Sequence, residues 1–593
     1  MPASEHAHRR PGLGYLAFFA LAAIILTWPV VLSPARPISI RPDYFSNLWN
    51  FWWVKTSVLL EHTSPYWTDY LYFPAGISLA RHTLSPLNSF AGAALSTIMN
   101  PHAAYSVLLL LHFALSGWAL FLLAHYLTGN IRGSLLAGLV YSFCPFHYSY
   151  VAQLNIATLE FLPLAVLYAL RVYRDGGVRN TVLMALFTAM IATSSSYWLV
   201  YAFIVIWLVA LGGKLWSGGT RFVSGLKRIA IASMVAIAVV AVVSMPLVLA
   251  VVEDASSGPP PAVQTGEKVF RANDLLGYSW VGPPERVIVS WPTMLGYSTL
   301  LLLVLGYREV VRQRFWLLIG AVFLVLSLGS ALKVAGNSTG FPLPHRYLRL
   351  LPGFAMLRKP DRAFLMIQFV TALLCAFSWR HLSRLFKSPR RRLACWIVIT
   401  CVIVVETTGI PFRQFAYECP AYLAGLGAPS GFDPAPEIRS LVHLPVMPGQ
   451  GTEGRYNYFQ TFHHKRIPQG YVTSLAIADS MRVRSDLLEE ACDSLLSGSP
   501  GPLLTEVEKR DLDLIVIHKI VSGRRPSLID LERKIVWVPF LAVRRDLIKG
   551  RQMGPYVDTP VSRRELQYQK RVLERVLGQP VYEDSDVLVF GVP

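Results

Sequence analysis

Roughly eleven apolar segments, at residues 14–32, 104–127, 133–147, 156–172, 180–194, 196–213, 229–252, 292–307, 315–330, 363–379 and 393–410, restrict what this chain can fold into. A bilayer core takes about 20 helical residues to cross, and the backbone polar groups inside it must be bonded internally, so such runs read as transmembrane helices. With 53% hydrophobic and 15% charged residues and a mean hydropathy of +0.42, the chain is too apolar for an ordinary soluble protein. After Gly409 the composition becomes that of a soluble domain. The expected class is therefore a mainly α, polytopic membrane protein of about eleven transmembrane helices with a C-terminal extracytoplasmic α/β domain. The division falls at 1–410 and 411–593, with a large first external loop at 33–103.

Loop charge sets the orientation. Arg9 and Arg10, Arg132, Arg171 to Arg179, Lys214 to Arg228, Arg308 to Arg314 and Arg380 to Arg392 fall in alternate connections. The opposite connections include Phe146 to Asn155 and the turn near Ser195, which hold no Lys or Arg. By the positive-inside rule the N-terminus is internal and the C-terminal domain external. The run from Gly14 to Leu32 exceeds a signal-peptide core of about 7 to 15 residues and is read as an uncleaved first span. The formal charge of +19 comes with no nucleic-acid recognition motif, so nucleic acid is not an expected partner. Of six scattered cysteines only Cys419 and Cys492 lie outside the apolar array, and they are the one pair read as a disulfide.

The external loop between Ser330 and Ala363 departs from the charge rule, carrying Lys333, Arg346, Arg349, Arg358, Lys359 and Arg362. Cations on the disfavoured side point to an anionic ligand, and the planar guanidinium suits phosphate. Anionic lipid headgroups or pairing with Asp361 are the plainer alternatives. Arg358 and Arg362 share one face if the loop turns helical as it enters the span near Ala363.

A second unusual stretch is Arg41 to Lys55, where Asp43 precedes Trp49, Trp52 and Trp53. Residues 47–60 read as a helix lying in the membrane interface, with Asp43 at its N-terminus, capping it, doing chemistry, or both. Residues 88–99 form a weakly apolar piece that re-enters the membrane or packs on the array. Asp69 and His82 share this loop with Asp43 and are candidates to join it around a metal or an acceptor. Glu160, with Gln153 and Asn155 in the uncharged loop beside it, is a candidate for lining an outward cavity, because ionisable groups in spans are functional candidates. His112 reads as a packing histidine. Gly336 to Gly340 has the nucleophile-elbow spacing without the strand and helix that motif needs. No phosphate-binding Gly-Lys-Ser/Thr loop, HExxH or Cys-x-x-Cys is present, which argues against an ATP-driven pump. In the outer domain, 440–446 and 513–518 read as strands, 505–511 and 562–577 as helices, and 580–590 as strand, turn, strand.

Four stretches resemble a known family. They are Asp43 with Trp49 and Trp53; Tyr72-Phe-Pro-Ala-Gly76 with His82; Leu136 to Pro145; and Leu328-Gly329 leading into Pro342-Leu-Pro344, Leu351 to Phe354 and Leu357 to Arg362. His443 to Val446, Tyr458 to Thr461 and Gly470-Tyr471 add to them. Together they resemble the GT-C superfamily of polytopic membrane glycosyltransferases, in a bacterial branch similar to YfhO-type membrane proteins. The resemblance implies transfer of a sugar from a polyprenyl-phosphate carrier to a glycan, lipid or protein acceptor at the outer face of the bacterial cytoplasmic membrane. It also implies that Asp43 is the base taking the acceptor proton. Arg346, Arg349, Arg358 and Arg362 are then candidates for holding the carrier phosphate, and Trp49, Asp69, His82, Gln153, Asn155 and Glu160 for lining the cavity. A divalent ion, Mg or Mn, is the cofactor left open, with Asp43 as its only named ligand; Asp43 stands singly in the first loop, which has no Asp-x-Asp or Glu-x-Asp pair, so the family's metal dependence is in doubt here. A transporter or flippase of a lipid-linked saccharide and a non-catalytic scaffold are the alternatives; no related halves are apparent.

Overall fold

The computed structural model describes residues 13–80, 82–213, 222–256, 294–334, 337–348, 350, 357, 359–408, 412, 414–415, 419–426, 438–444, 452–470, 479–496, 498–524, 556–560 and 563–592. It is mostly helical, and each predicted apolar segment carries helix. Among the described residues, four helices are long and apolar enough to cross a membrane: Pro101–Thr128, Leu154–Asp175, Phe222–Val243 and Pro360–Leu382. Gly14–Leu26, Val178–Ser194, Ser196–Leu211 and Arg314–Ser327 are shorter apolar helices.

Eleven full-length spans are therefore not what the described residues contain. Hydropathy counts apolar residues beyond the point where the backbone stops being helical. The helix in 133–147 is Ile131–Ser142, and Pro145 starts a separate short helix. Twelve residues rise only about 18 Å against a core of about 30 Å. The first helix ends at Leu26, before Pro29, instead of running to Leu32. Segment 292–307 holds only the nine-residue helix Tyr297–Leu305. Segment 229–252 is split into Phe222–Val243 and Met245–Ser256 around Pro246, whose ring has no N–H to continue the ladder.

Small residues let the helices approach. Gly117 and Gly138, from neighbouring helices, both face the ring of Phe19, and a Cβ on either would lie 2.4 Å from that ring. Residues 88–99 hold the helix Pro86–Leu95, where Gly92 meets Phe51 equally closely.

The stretch after Arg41 forms the helix Pro42–Val54, continued by a π-helical turn at Lys55–Leu60. Pro42 occupies the first helical position, where its missing N–H costs nothing. Arg41 is the N-cap, so Asp43 lies inside the first turn and does not cap the helix. This helix does not present its aromatic face outward. Pro42, Tyr44 to Phe51, Trp53 and Val54 are buried, because the helix Thr452–His463 from the C-terminal region lies along it.

That C-terminal region builds a four-stranded sheet in the order Leu441–Leu444, Leu514–His518, Val587–Gly591, Tyr582–Glu583. The first pair is parallel and the others antiparallel. Side chains alternate across it. Leu441, Leu514, Val516, Val587 and Val589 share a core with Tyr44, Phe45 and Trp49, while Val442, Ile515, Ile517, Leu588 and Phe590 pack on the far side with Leu488, Leu495 and Leu573. The sheet and the 42–54 helix are thus two walls of one core. The expected helix at 505–511 runs Gly501–Lys509, and that at 562–577 runs Arg563–Leu577. Cys419 and Cys492 do not form the expected disulfide.

Candidate active site

Asp43 and Arg362 are joined through one side chain. Gln153 Nε2 donates to Asp43 Oδ2 at 2.7 Å, and Gln153 Oε1 accepts from Arg362 Nη2 at 2.9 Å. The amide has one donor end and one acceptor end, so the carboxylate and the guanidinium fix which way it points.

Each member is held locally. Asn47, one turn after Asp43, donates to the Asp43 carbonyl at 2.7 Å and to the Ala152 carbonyl at 3.4 Å, tying the helix to the loop that carries Gln153. Tyr105 OH donates to the Val151 carbonyl, and Thr158 closes the short helix Leu154–Ala157 through the Leu154 carbonyl. Arg362 lies in a 3-10 turn, Pro360–Ala363, that leads directly into the span Phe364–Leu382. Its guanidinium is stacked 4.4 Å from the Tyr197 ring centroid and 5.7 Å from that of Tyr150. Tyr150 OH donates to Asp361 Oδ2 at 3.3 Å. Arg362 is buried, and its Nε has no hydrogen-bond partner among the described residues. A buried guanidinium with an unused donor is chemically suited to an anion, because leaving such a donor unmet is costly.

The other residues named from sequence lie elsewhere. Trp49 is fully buried and donates its indole N–H to Gln460 Oε1 at 2.8 Å, so it lines no cavity. His82 is buried beside Asn50, its Nε2 3.1 Å from Asn50 Oδ1, and burial pushes its imidazole down to about 4. Asp69 pairs with Arg466 at 2.8 Å. Neither is brought to Asp43. Glu160 is buried against His112 Nδ1 at 2.8 Å, within a network in which His112 Nε2 meets Asn88 and Asn88 meets Thr158. It precedes the helix Phe161–Asp175 and lines no outward cavity. Asn155 is partly exposed in the short helix after Gln153. Arg346 is exposed on the helix Pro344–Leu348. Arg349 and Arg358 lie outside the described residues.

Asp43 Oδ2 faces the amide donor of Gln153, and no three His, Cys, Asp or Glu groups converge on a metal site among the described residues.

Tyr150 and Tyr197 were not singled out by sequence, although Tyr150 occupies one connection lacking Lys and Arg and Tyr197 follows directly on the other. That is the available signal: where connections carry no cation of their own, aromatic faces can receive one from another loop.

No family model matches the chain, and no curated protein matches it in sequence. Its fold is similar to that of the arabinofuranosyltransferase AftD from Mycobacteria, with TM-score 0.54 at 14% identity over 86% of this chain. A mutant of AftD aligns with TM-score 0.56 at 13% identity over 86% of this chain. The chain spans only 35% and 37% of those chains. ArnT from Cupriavidus metallidurans in the apo state aligns more loosely, with TM-score 0.47 and 10% identity over 98% of both chains. The likeness is one of fold, and it does not distinguish the YfhO-type branch.

Proposed function

We propose that this protein is a membrane glycosyltransferase that moves a sugar from a polyprenyl-phosphate carrier to an acceptor hydroxyl at the outer face of a bacterial cytoplasmic membrane. The observation that carries this reading is the Asp43–Gln153–Arg362 line, which sets a carboxylate and a buried, incompletely bonded guanidinium one amide apart. The fold shared with an arabinofuranosyltransferase supports the reaction class.

Asp43 is the general base. As the acceptor oxygen attacks the anomeric carbon, its proton passes to the Asp43 carboxylate, and the bond from that carbon to the phosphate oxygen breaks. The carrier phosphate leaves with the bonding pair, and Arg362 receives its negative charge through charge-assisted hydrogen bonds of about 1.5 to 3 kcal/mol. Gln153 holds both ends in register, so attack and departure take place within one site. Asp43 sits in the first turn of its helix, where backbone N–H groups stabilise the anion between turnovers.

The purified protein in nanodiscs, incubated with a panel of radiolabelled polyprenyl-monophosphate sugars and envelope glycan acceptors, tests this. Transfer that disappears in Asp43→Asn supports the enzyme. Carrier movement across the bilayer with no glycosidic product would instead favour the flippase, and carrier phosphate bound more than about 15 Å from Asp43 would remove the base from reach of the reaction.

A further inference from the structure

Three histidines meet inside the outer domain, away from the proposed site. His443 lies on the strand Leu441–Leu444, His518 ends the strand Leu514–His518, and His463 ends the helix Thr452–His463. All three are buried. His518 Nε2 lies 3.0 Å from His443 Nδ1, and the His443 and His463 ring centroids are 5.5 Å apart. Tyr456 stacks on His443 and Phe459 on His518 from the same helix, at 4.5 and 5.3 Å.

The hydrogen bonds leave little room for added protons. His463 Nδ1 accepts from the Lys465 backbone N–H at 3.0 Å, so its neutral ring carries its proton on Nε2, and a second proton would displace that bond. Between His518 and His443 one proton is shared, and protonating the accepting nitrogen sets two N–H groups against each other. The Nε2 atoms of His443 and His463 have no hydrogen-bond partner among the described residues, so the cluster already holds unmet polar atoms. The groups acting on the rings add to the cost of a charge: Arg455 on His518, His464 and Lys465 on His463, and the histidines on one another. Burial dominates, pushing His518 down to about 3 and the other two well below the ordinary value of 6.5.

The helix that closes over this cluster also holds the Asp43 helix. Gly454 lies against Pro42, the residue before Asp43, so closely that a Cβ would be 2.8 Å from Pro42 Cα. Tyr458 OH is 2.7 Å from His102 Nε2, whose Nδ1 is 2.7 Å from Tyr44 OH. Gln460 takes the Trp49 bond.

We propose that His443, His463 and His518 form an acid-sensitive latch: protonation opens the outer sheet away from the helix Thr452–His463 and loosens its hold on the Asp43 helix. Above pH 6.5 the rings are neutral whether closed or released, and the latch costs nothing. As pH falls from 6.5 toward about 3, the released state binds protons that the closed state excludes, so closure weakens. Each histidine shifts the balance toward release by about tenfold per pH unit, and three by about a thousandfold. The latch is a property of the packing and does not rest on the transfer reaction.

Hydrogen exchange on the full-length protein in nanodiscs, corrected for intrinsic rates, tests it at pH 7.5, 6.5, 5.5 and 4.5. Protection of residues 452–463 and 42–54 is expected to fall at least a hundredfold between pH 6.5 and 4.5, while 364–382 stays protected. His443→Gln, His463→Gln and His518→Gln should each lower the slope by up to tenfold per unit, and the triple variant should show no slope. Wild-type protection unchanged to pH 4.5, or single variants that all keep the full slope, would overturn the latch. So would loss of protection at 364–382 in parallel, which would mean general acid unfolding.

Discussion

Trp49 and Gln460 are 411 residues apart in sequence, yet the indole N–H of one donates to the amide oxygen of the other at 2.8 Å. The Gln460 amide nitrogen in turn donates to the carbonyls of Tyr70 and Lys465 at 2.7 and 2.9 Å. One side chain thus joins the site helix, the first loop and the C-terminal region. Trp49→Phe keeps the aromatic bulk but leaves a buried acceptor unmet, at about 1 to 3 kcal/mol. Lower thermal stability and faster proteolysis at the start of the outer domain are expected. Unchanged behaviour in both would make the bond dispensable.

Asp43→Asn preserves size and still offers an oxygen to Gln153, so the helix should stay in place. Losing the base should slow transfer about 100- to 10,000-fold. Initial rates beside melting curves decide this, since a folded variant that transfers at the wild-type rate removes Asp43 from the mechanism.

Arg362 acts through its shape as well as its charge. Arg362→Lys keeps the cation but loses the planar stack on Tyr197 and the second donor arm. Carrier affinity should fall roughly 10-fold or more in the Lys variant, and further in Arg362→Ala, where Gln153 Oε1 loses its donor as well. A stability loss in both with carrier affinity intact would make Arg362 a packing residue.

Gly454→Ala is a sharp test of the contact between the site helix and its cover. Replacing a helical glycine by alanine normally stabilises by about 0.5 to 1 kcal/mol. Here the added methyl meets the Pro42 backbone, which cannot move without shifting Asp43, and overpacking of this kind costs about 1 to 3 kcal/mol. A reduced melting temperature together with reduced transfer is expected, and a stabilised, fully active variant would show that the two helices separate readily.

Orientation is tested by cysteine labelling in intact cells. Gly177 has a φ of 90°, so the adjacent Val178, which is 80% exposed, is the better probe for the proposed cytoplasmic side. Ser430→Cys probes the proposed external side. An impermeant reagent should label Ser430→Cys and spare Val178→Cys, and the reverse pattern would invert the topology.

The sequence by itself determined what depends on local chemistry. Apolar runs made helices, since buried backbone must bond to itself, and short continuous apolar runs made the buried strands Leu514–His518 and Val587–Gly591. It also isolated Asp43, Gln153 and Arg362 as three separate oddities: a carboxylate before an aromatic helix, an amide in an uncharged loop, and a cation on the disfavoured side.

Only the tertiary structure decided that these three form one line, because contacts spanning 110 and 209 residues leave no periodic trace. It likewise moved Trp49 from the membrane interface into a core, and gave Asp69, His82 and Glu160 partners away from Asp43. An indole N–H suits a headgroup and a buried amide equally well, so composition could not choose between them. The choice belongs to the helix Thr452–His463, which covers the site helix from the far end of the chain and excludes water from it.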